Sequence, residues 1–488
     1  MKVRVAMVHS MLSSALAVFS LAVAARSAAQ TCASVYDFTA IPGYYPYTNT
    51  DGSSPQAGLV LSGNTFYGTT TSGGVSGQGT IFKVNRDGGG FANLHSFSAS
   101  SGSGTNTDGC SPQAALILSS NLLYGSANLG GTLGNGTLFR INMDGSGFAT
   151  IHNFTGADGR YLTAGLVLSD NTLYGTAFGG GNSDNGTLFK LNTDGSSFTV
   201  LHHFTITDSA GRNSDGANPQ GSLILSGDTL YGTANNGGSA HSGTVFAIKT
   251  DGTSFTVLHT FTPLSANPWT NSDGAHPETG LLLSGDTLYG TARDGGGSGY
   301  GTLFKLGTNG AGFATLHHFA GSPGDGANPN AALILASNTL YGTAAFGGNS
   351  GAGTAFKINT DGSDFTTLHH FTGISTYSSP NSDGAFPTGP LILSDSTLYG
   401  TAACGGKSGS GAVLAISLLS TRLAIMPSGA NVTLFWPAND ASFTLQSTTD
   451  LASPASWTAV PQAPVVVNGQ NSVTLPASGT KRFFRLIH

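Results

Sequence analysis

A Tyr-Gly pair recurs seven times in this chain, at Tyr67, Tyr124, Tyr174, Tyr231, Tyr289, Tyr341 and Tyr399, with spacings of 57, 50, 57, 58, 52 and 58 residues. Nothing else in the sequence limits its folding so tightly. A unit of about fifty residues, repeated, must bury its apolar face against its neighbours. The copy from Asp215 to Thr262 contains four short apolar runs, SLILS, TLYGTA, GTVFAIK and FTVLHTF. Each is bounded by Gly, Asp, Asn or Ser, the punctuation of strands and turns. The Asp-Gly of KTDGTS supplies the positive-φ residue that a tight hairpin needs. One unit therefore reads as a four-stranded antiparallel meander, with strands a, b, c and d.

The a strands (GLVL, ALIL, GLVL, SLIL, GLLL, ALIL, PLIL) are apolar at every position, as expected of a strand covered on both faces. The seventh copy has a, b and c strands but no d strand. SVYDFT, from Ser34 to Thr39, matches the LHHFT endings of the other copies. The expected fold is all-β: a seven-bladed β-propeller of four-stranded blades in which the N-terminal strand completes the last blade. That pairing removes the open edges that would otherwise template aggregation.

Residues 1–29 read as a signal peptide: Lys2 and Arg4, then an apolar segment, then Ser27-Ala28-Ala29 before Gln30. The apolar segment is too short for a membrane span. Cys32 lacks the run expected before a lipid-modified cysteine, so export without lipidation is expected. Residues 30–418 form the propeller and residues 419–488 a small β-sandwich with about six short strands. Trp436 and Trp457 are its large core candidates. Nothing after FFRLIH reads as a membrane segment or a basic tail, and the mature chain is expected to be a monomer.

Only 9% of residues are charged and the net charge is −6, without a basic cluster. That excludes nucleic acid, which requires a Lys/Arg footprint. Three cysteines are too few for a disulfide scaffold. Cys32 falls where the other d strands open on Phe, a strand length from Cys404, so no Cys32–Cys404 disulfide is expected. A Cys110–Cys404 bridge stays open at this point.

The repeat pattern LxLSGDTLYGTA…GG…GTLFKxNTDGSxFTxLHxF resembles the GloVer-type tandem repeat of bacterial secreted proteins, the "choice-of-anchor" group, over residues 34–417. The C-terminal FTLQSTTDL, SWT and FFRL resemble small fibronectin-type-III-like modules. The resemblance implies a secreted repeat protein and supplies no catalytic residues.

His95, His152, His202, His259, His317 and His369 recur once per copy on the outermost strand, with Tyr36 at the seventh place. Rotation about the ring axis distributes them around the perimeter, so they are read as structural rather than as one metal or acid–base site. Asp51, Asp108, Asp158, Asp215, Asp273, Asp325 and Asp383 each sit in an Asp-Gly of a d–a loop. They are read as Asx turn formers rather than calcium ligands, which would alternate within one loop. The Gly-rich b–c loops lack the phosphate-binding pattern and read as long hairpin connections. No metal or cofactor is expected.

In an up-and-down blade the d–a and b–c loops leave on the same face. They vary between copies, whereas the c–d turns are near-uniform, and variable loops on a rigid scaffold carry binding. Gln56, Gln113, Thr163, Gln220, Glu278, Asn330 and Thr388 precede strand a and are placed around the mouth of the channel. Above them lie loop residues that do not repeat: Tyr161, Phe178, His241, His276, Arg293, Asp294, Tyr300, Phe346, Phe386 and Lys407. The candidate ligand-binding set is Gln56, Gln113, Gln220, Glu278, Asn330, Tyr300, Arg293 and Asp294, suited to a neutral polyhydroxylated ligand such as a glycan, or to another exported protein. Without a nucleophile or metal motif, a non-catalytic extracellular binding module is the expected function. The alternatives are a polysaccharide-active enzyme using the Glu278–Asp294 carboxylates and a structural envelope component.

Overall fold

The computed structural model describes residues 6–8, 32–42, 47–418, 423–437, 444–449, 456–467, 470–477 and 482–487. The expected leader lies outside the described residues, save for the short strand Ala6–Val8. The chain divides into two units, Thr31–Ile416 and a second comprising Ser417–His488 with Met1–Gln30.

The larger unit is a succession of four-stranded antiparallel sheets, one per repeat copy, in a propeller-like fold. In the fourth copy the strands are Ile224–Ser226 (a), Thr229–Ala234 (b), Thr244–Lys249 (c) and Thr256–Thr260 (d). Strand order follows chain order, as short hairpin loops require. The a, b and c strands of the seventh copy are joined by Cys32–Asp37, which pairs antiparallel with Ala412–Ser417. A register shift interrupts the c–d pairing in the same place each time, between Val245 and Phe246 in the fourth copy and across Ser34/Tyr36 in the seventh.

The middle strands are the most deeply buried. Strand b is closed to solvent from its second residue onward, and strand c is buried at most positions. Strand a differs from expectation. It is only three residues long and half-buried, and the Leu before it (Leu223 in the fourth copy) carries the full burial. It is an edge strand with a pairing partner on one side only, and the deepest burial falls on b and c instead.

The Tyr-Gly signature has a packing cause. Gly232 pairs across from Phe246, and a Cβ on Gly232 would lie 2.6 Å from the Phe246 ring. The glycine makes room for the aromatic ring of strand c to lie across strand b. In the seventh copy strand c carries Leu414 instead, and a Cβ on Gly400 would meet only the Cδ2 of Leu391.

Successive copies share apolar cores. Tyr231, Val245 and Phe261 of the fourth pack with Leu281, Leu288 and Phe304 of the fifth. Copies one and seven make the same kind of contact, through Phe66, Phe82 and Leu59 against Tyr399 and Val413. A buried strand-b hydroxyl also reaches a carbonyl of the next copy. Thr233 donates to the Thr279 carbonyl at 2.9 Å, and Thr401 of the seventh copy donates to the Ala57 carbonyl at 2.9 Å.

The smaller unit has two sheets over one core built from Val432, Leu434, Trp436, Leu445, Val473, Leu475, Phe484 and Leu486. Of the two expected tryptophans only Trp436 is internal. Trp457 is half-buried, with the Arg485 guanidinium 4.4 Å from its ring centroid. The strand it precedes, Thr458–Ala459, is a two-residue edge with too little cover to bury an indole.

Candidate functional site

The d–a and b–c loops lie together in every copy. Ala217 bridges to Asn236, Ala275 to Asp294, Ala385 to Cys404, and the others likewise. Their shared framework is set by the recurrent His and Asp, which prove to be one device. The Nε2–H of His95, His152, His202, His259, His317 and His369 donates to Asp108, Asp158, Asp215, Asp273, Asp325 and Asp383 respectively, at 2.8 to 3.1 Å. Tyr36 takes the seventh place and donates to Asp51 at 2.9 Å. Each carboxylate also accepts from the backbone just after strand d. Asp215, for example, takes the Thr205 N–H at 3.0 Å and the Thr205 hydroxyl as well. Five of the six imidazoles lie flat on the Phe that opens the next copy's d strand, with centroids 3.7 to 4.0 Å apart. His369 lacks that partner because Cys32 stands at the corresponding position.

The aspartates are therefore not the Asx turn formers that sequence reasoning makes them. In five copies that role belongs to the Asn two residues earlier. Asn213 accepts from the N–H groups of Gly216 and Gly238, and donates to the carbonyls of Thr205 and Gly216. Burial alone would raise the Asp108, Asp158, Asp215 and Asp273 carboxyls. Hydrogen bonds from the histidine and from Ser98, Thr155, Thr205 and Thr262 outweigh it and hold them below the usual carboxylate range. The signal in the sequence was the paired occurrence of one His (or Tyr) and one Asp per copy.

All seven residues expected around the mouth are half-buried. The structure brings three of the predicted residues together in the fifth copy. Arg293 donates to Glu278 at 2.9 Å, and Asp294 lies near enough to act electrostatically on both. Burial pushes the Glu278 carboxyl up despite the guanidinium beside it. Arg293 is itself pulled down by burial, but Glu278 and Asp294 raise it on balance. Asp294 accepts from His276 Nδ1 at 2.9 Å and from Asn328 Nδ2 at 3.1 Å. Both carboxylates of the expected pair are thus engaged with partners of their own. Elsewhere in this expected set, Gln220 accepts from Asn235 at 3.3 Å. Asn330 Oδ1 and Thr163 Oγ1, together with Asn128 Oδ1 and Asn235 Oδ1 beside this set, are enclosed without a protein partner. Enclosed acceptors and hydroxyls of this kind are where ordered water or a ligand hydroxyl is held. Gln56 and Gln113 occupy the equivalent positions in the first two copies; Thr388 donates to the Gln56 carbonyl at 3.2 Å. Tyr300 does not join the Glu278 group; its ring packs beside Gly321 in the next d–a loop.

One feature of these loops escaped the sequence. Three residues beyond each d–a aspartate the backbone turns left-handed, with φ between 52° and 62°, at Ser54, Ser111, Tyr161, Asn218, His276, Asn328 and Phe386. Each N–H there donates to a b–c loop carbonyl of the preceding copy, as Asn218 does to Asn185 and Ser54 to Ser410 of the seventh. Each carbonyl accepts from its own copy, as Phe386 does from Ala403. No residue type is shared by all seven positions, so sequence comparison of the copies does not mark them.

Among the described residues the large exposed apolar side chains of the repeat unit all fall in these two loop sets: Tyr47, Val75, Leu129, Leu133, Ile206, Trp269, Tyr300, Phe346 and Tyr377. The three cysteines are free thiols. Among the described residues no group of three or more His, Cys, Asp or Glu is placed to hold a metal ion, and no helix is long and apolar enough to cross a membrane.

The sequence matches the Gloeobacter/Verrucomicrobia repeat over residues 30–167, 111–269 and 264–428. No curated protein matches it. Solved structures of similar shape include an oligogalacturonate lyase from Vibrio parahaemolyticus, 10% identical, with a TM-score of 0.49 over 86% of this chain and 98% of the other. A puromycin-hydrolyzing peptidase of Mycobacterium tuberculosis is 14% identical, with a TM-score of 0.47 over 80% of this chain and 61% of that one. An oligogalacturonate lyase in complex with manganese is 12% identical, with a TM-score of 0.43 over 76% and 90%. Likeness at this level carries no argument about activity.

Proposed function

The chain belongs to the Gloeobacter/Verrucomicrobia repeat family, and from that premise we propose that it is an exported, non-catalytic binding module whose ligand engages the face bearing the d–a and b–c loops. In this reading residues 1–29 are a cleaved leader. The seven sheets form a closed seven-bladed ring with the N-terminal strand completing the last blade. The C-terminal unit is a fibronectin-type-III-like appendage, and the protein works as a monomer without metal or cofactor. The observation that carries the binding reading is the segregation of the exposed large apolar side chains into loops that every copy pins to a common framework. Exposed apolar groups held on one face of a rigid scaffold mark an interaction surface. What supports closure is the sharing of inter-copy contacts by copies seven and one, namely the Thr401–Ala57 and Ser54–Ser410 hydrogen bonds and their common core.

The test is a glycan-array and exported-protein cross-linking screen of the mature chain, repeated with Gln220→Ala, Glu278→Gln and the c–d turn variant Asp251→Ala. Binding lost in the loop-face variants and kept in Asp251→Ala is the expected result. A bound partner indifferent to both loop-face changes would overturn the reading. Deletion of residues 30–39 tests closure: the seventh sheet should lose its protection from hydrogen exchange, and full retention would refute the closed ring.

A second reading, a polysaccharide-active enzyme, is favoured by one observation. The half-buried Glu278 carboxyl is raised by desolvation and lies within electrostatic reach of Asp294, and a raised carboxyl is what a general acid needs. Cleavage of a bound glycan by the wild type, abolished in Glu278→Gln, would replace the first reading by this one.

A further inference from the structure

We propose that Phe346, Phe386 and Tyr377, where the loops of the sixth and seventh copies meet, are the docking surface for an uncharged polysaccharide chain. The inference rests on the loop-face binding reading above and names its ligand class and contact residues.

Three observations converge on these rings. The first is conformational. Phe386 holds one of the seven left-handed positions, at φ 57°. A bulky residue with positive φ is strained by roughly 1–2 kcal/mol relative to glycine. Glycine is plentiful in the same loops, and Gly384 adopts positive φ two residues earlier. At this site the backbone N–H and C=O are both committed to the framework, as they are in every other copy. The side chain is the only part free to differ, and Phe is present despite the strain. Its value must lie in what the ring touches.

The second is packing. Phe346 lies 5.2 Å from Phe386 and Tyr377 lies 5.3 Å from it, with the rings inclined at 53° and 43°. They form a cluster without becoming a core: Tyr377 is 68% exposed and Phe346 38%. The loop carrying Tyr377 is ordered by hydroxyls. Ser379 meets Ser375 at 2.7 Å and Thr376 at 2.9 Å, and accepts the Thr376 N–H at 3.0 Å. Open aromatic faces beside fixed hydroxyls complement a sugar ring, which offers a C–H face to the π-cloud and hydroxyl edges to the polar rim.

The third is charge. The neighbouring ionic groups already have partners: the buried Asp383 accepts from His369 Nε2 at 2.8 Å, and Lys407 is paired with Asp37 at 3.0 Å. With Lys407 already paired, the surface complements an uncharged ligand and offers an acidic polysaccharide no free counter-charge.

The experiment is affinity electrophoresis of the full chain in native gels containing xyloglucan, mixed-linkage β-glucan or galactomannan, with polygalacturonate as the acidic probe. Retardation by at least one uncharged polymer is expected, with affinity falling about tenfold or more in the double variant Phe386→Ser/Tyr377→Ser. Ser54 and Ser111 occupy the position of Phe386 in the first two copies, so the fold tolerates serine there; unchanged circular dichroism checks this. Asp251→Ala, in a c–d turn away from these loops, should bind as the wild type does. Retardation only by polygalacturonate, or by no gel, overturns the proposal. So does undiminished binding in the double variant. If binding survives there and is lost in Glu278→Gln, this surface is refuted while the loop-face reading stands.

Discussion

Replacing Asp215 by alanine tests whether the His–Asp device holds the loop framework. Asp215 is nearly closed to solvent and accepts three hydrogen bonds, from His202 Nε2 at 3.0 Å, from the Thr205 N–H at 3.0 Å and from the Thr205 hydroxyl. Hydrogen bonds to a charged group contribute about 1.5–3 kcal/mol each, and the variant strands donors that only partly find water. Because the three share one carboxylate and are not additive, the expected loss is about 3–4 kcal/mol. A unit the length of Thr31–Ile416 unfolds with an entropy of roughly 0.8 kcal/mol/K at the usual value per residue, so Tm should drop by about 4 °C. The carboxyl is depressed in the folded state. Its contribution is present above the unfolded value near ~3.9 and disappears as pH falls through the lower, folded value. The gap in Tm between wild type and Asp215→Ala, measured by circular dichroism, should therefore be full at pH 7 and shrink as pH falls below about 4. A drop below about 1 °C at pH 7, or a gap that stays constant into acid, would refute the reasoning.

Three further outcomes follow from the same geometry. Gly232→Ala places a Cβ 2.6 Å from the Phe246 ring and should destabilise by about 2–3 kcal/mol in thermal unfolding, while Gly400→Ala, facing only a movable Leu391 methyl, should lose less than half of that. Arg293→Ala leaves the raised Glu278 carboxyl buried without its partner. Discounted for the partial exposure of Arg293, the loss is about 1–2 kcal/mol at pH 7, and it should diminish on acidification as the raised Glu278 carboxyl takes up its proton. Burial raises the Cys32 thiol to about 12, the Cys404 thiol to about 11, and that of Cys110 as well. Colourimetric thiol titration at pH 8 should thus be slow in the native protein and count three thiols in guanidinium, whereas one thiol would signal a disulfide.

Much of the sheet framework was legible because strand and turn chemistry is local. Tyr-Gly, Asp-Gly and the apolar runs place the strands within a residue or two. The missing d strand of the seventh copy was found at Ser34–Thr39, against the observed Cys32–Asp37. The substitution of Tyr36 for histidine was legible as a position. That both residue types donate to the same aspartate was not, because the partners lie 6 to 15 residues apart across a loop of variable length. The inner strand misled for a related reason: its apolar residues signal burial without saying which strand has neighbours on both sides. Of the candidate site residues, the structure brings only some together. Glu278, Arg293 and Asp294 do come together, but Tyr300 lies apart from them, and Trp269 and Tyr377 were not singled out, since exposure is not written in a residue's own chemistry.

The sequence alone determined the repeat, the four-strand unit and the turn positions, since each depends on steric and hydrogen-bonding preferences acting over a few residues. Only the tertiary structure decided which polar groups are spent and which remain to meet a ligand. Folding the d–a and b–c loops against one another and against strand d carries the aspartates onto the histidines, Asn213 onto its glycines and Arg293 onto Glu278. Those bonds satisfy groups that looked free in the linear chain. The same packing fixes seven backbone positions in one left-handed conformation and leaves their side chains to differ. Such a division between framework and display arises from distances between strands and loops, and those distances exist only once the chain has folded.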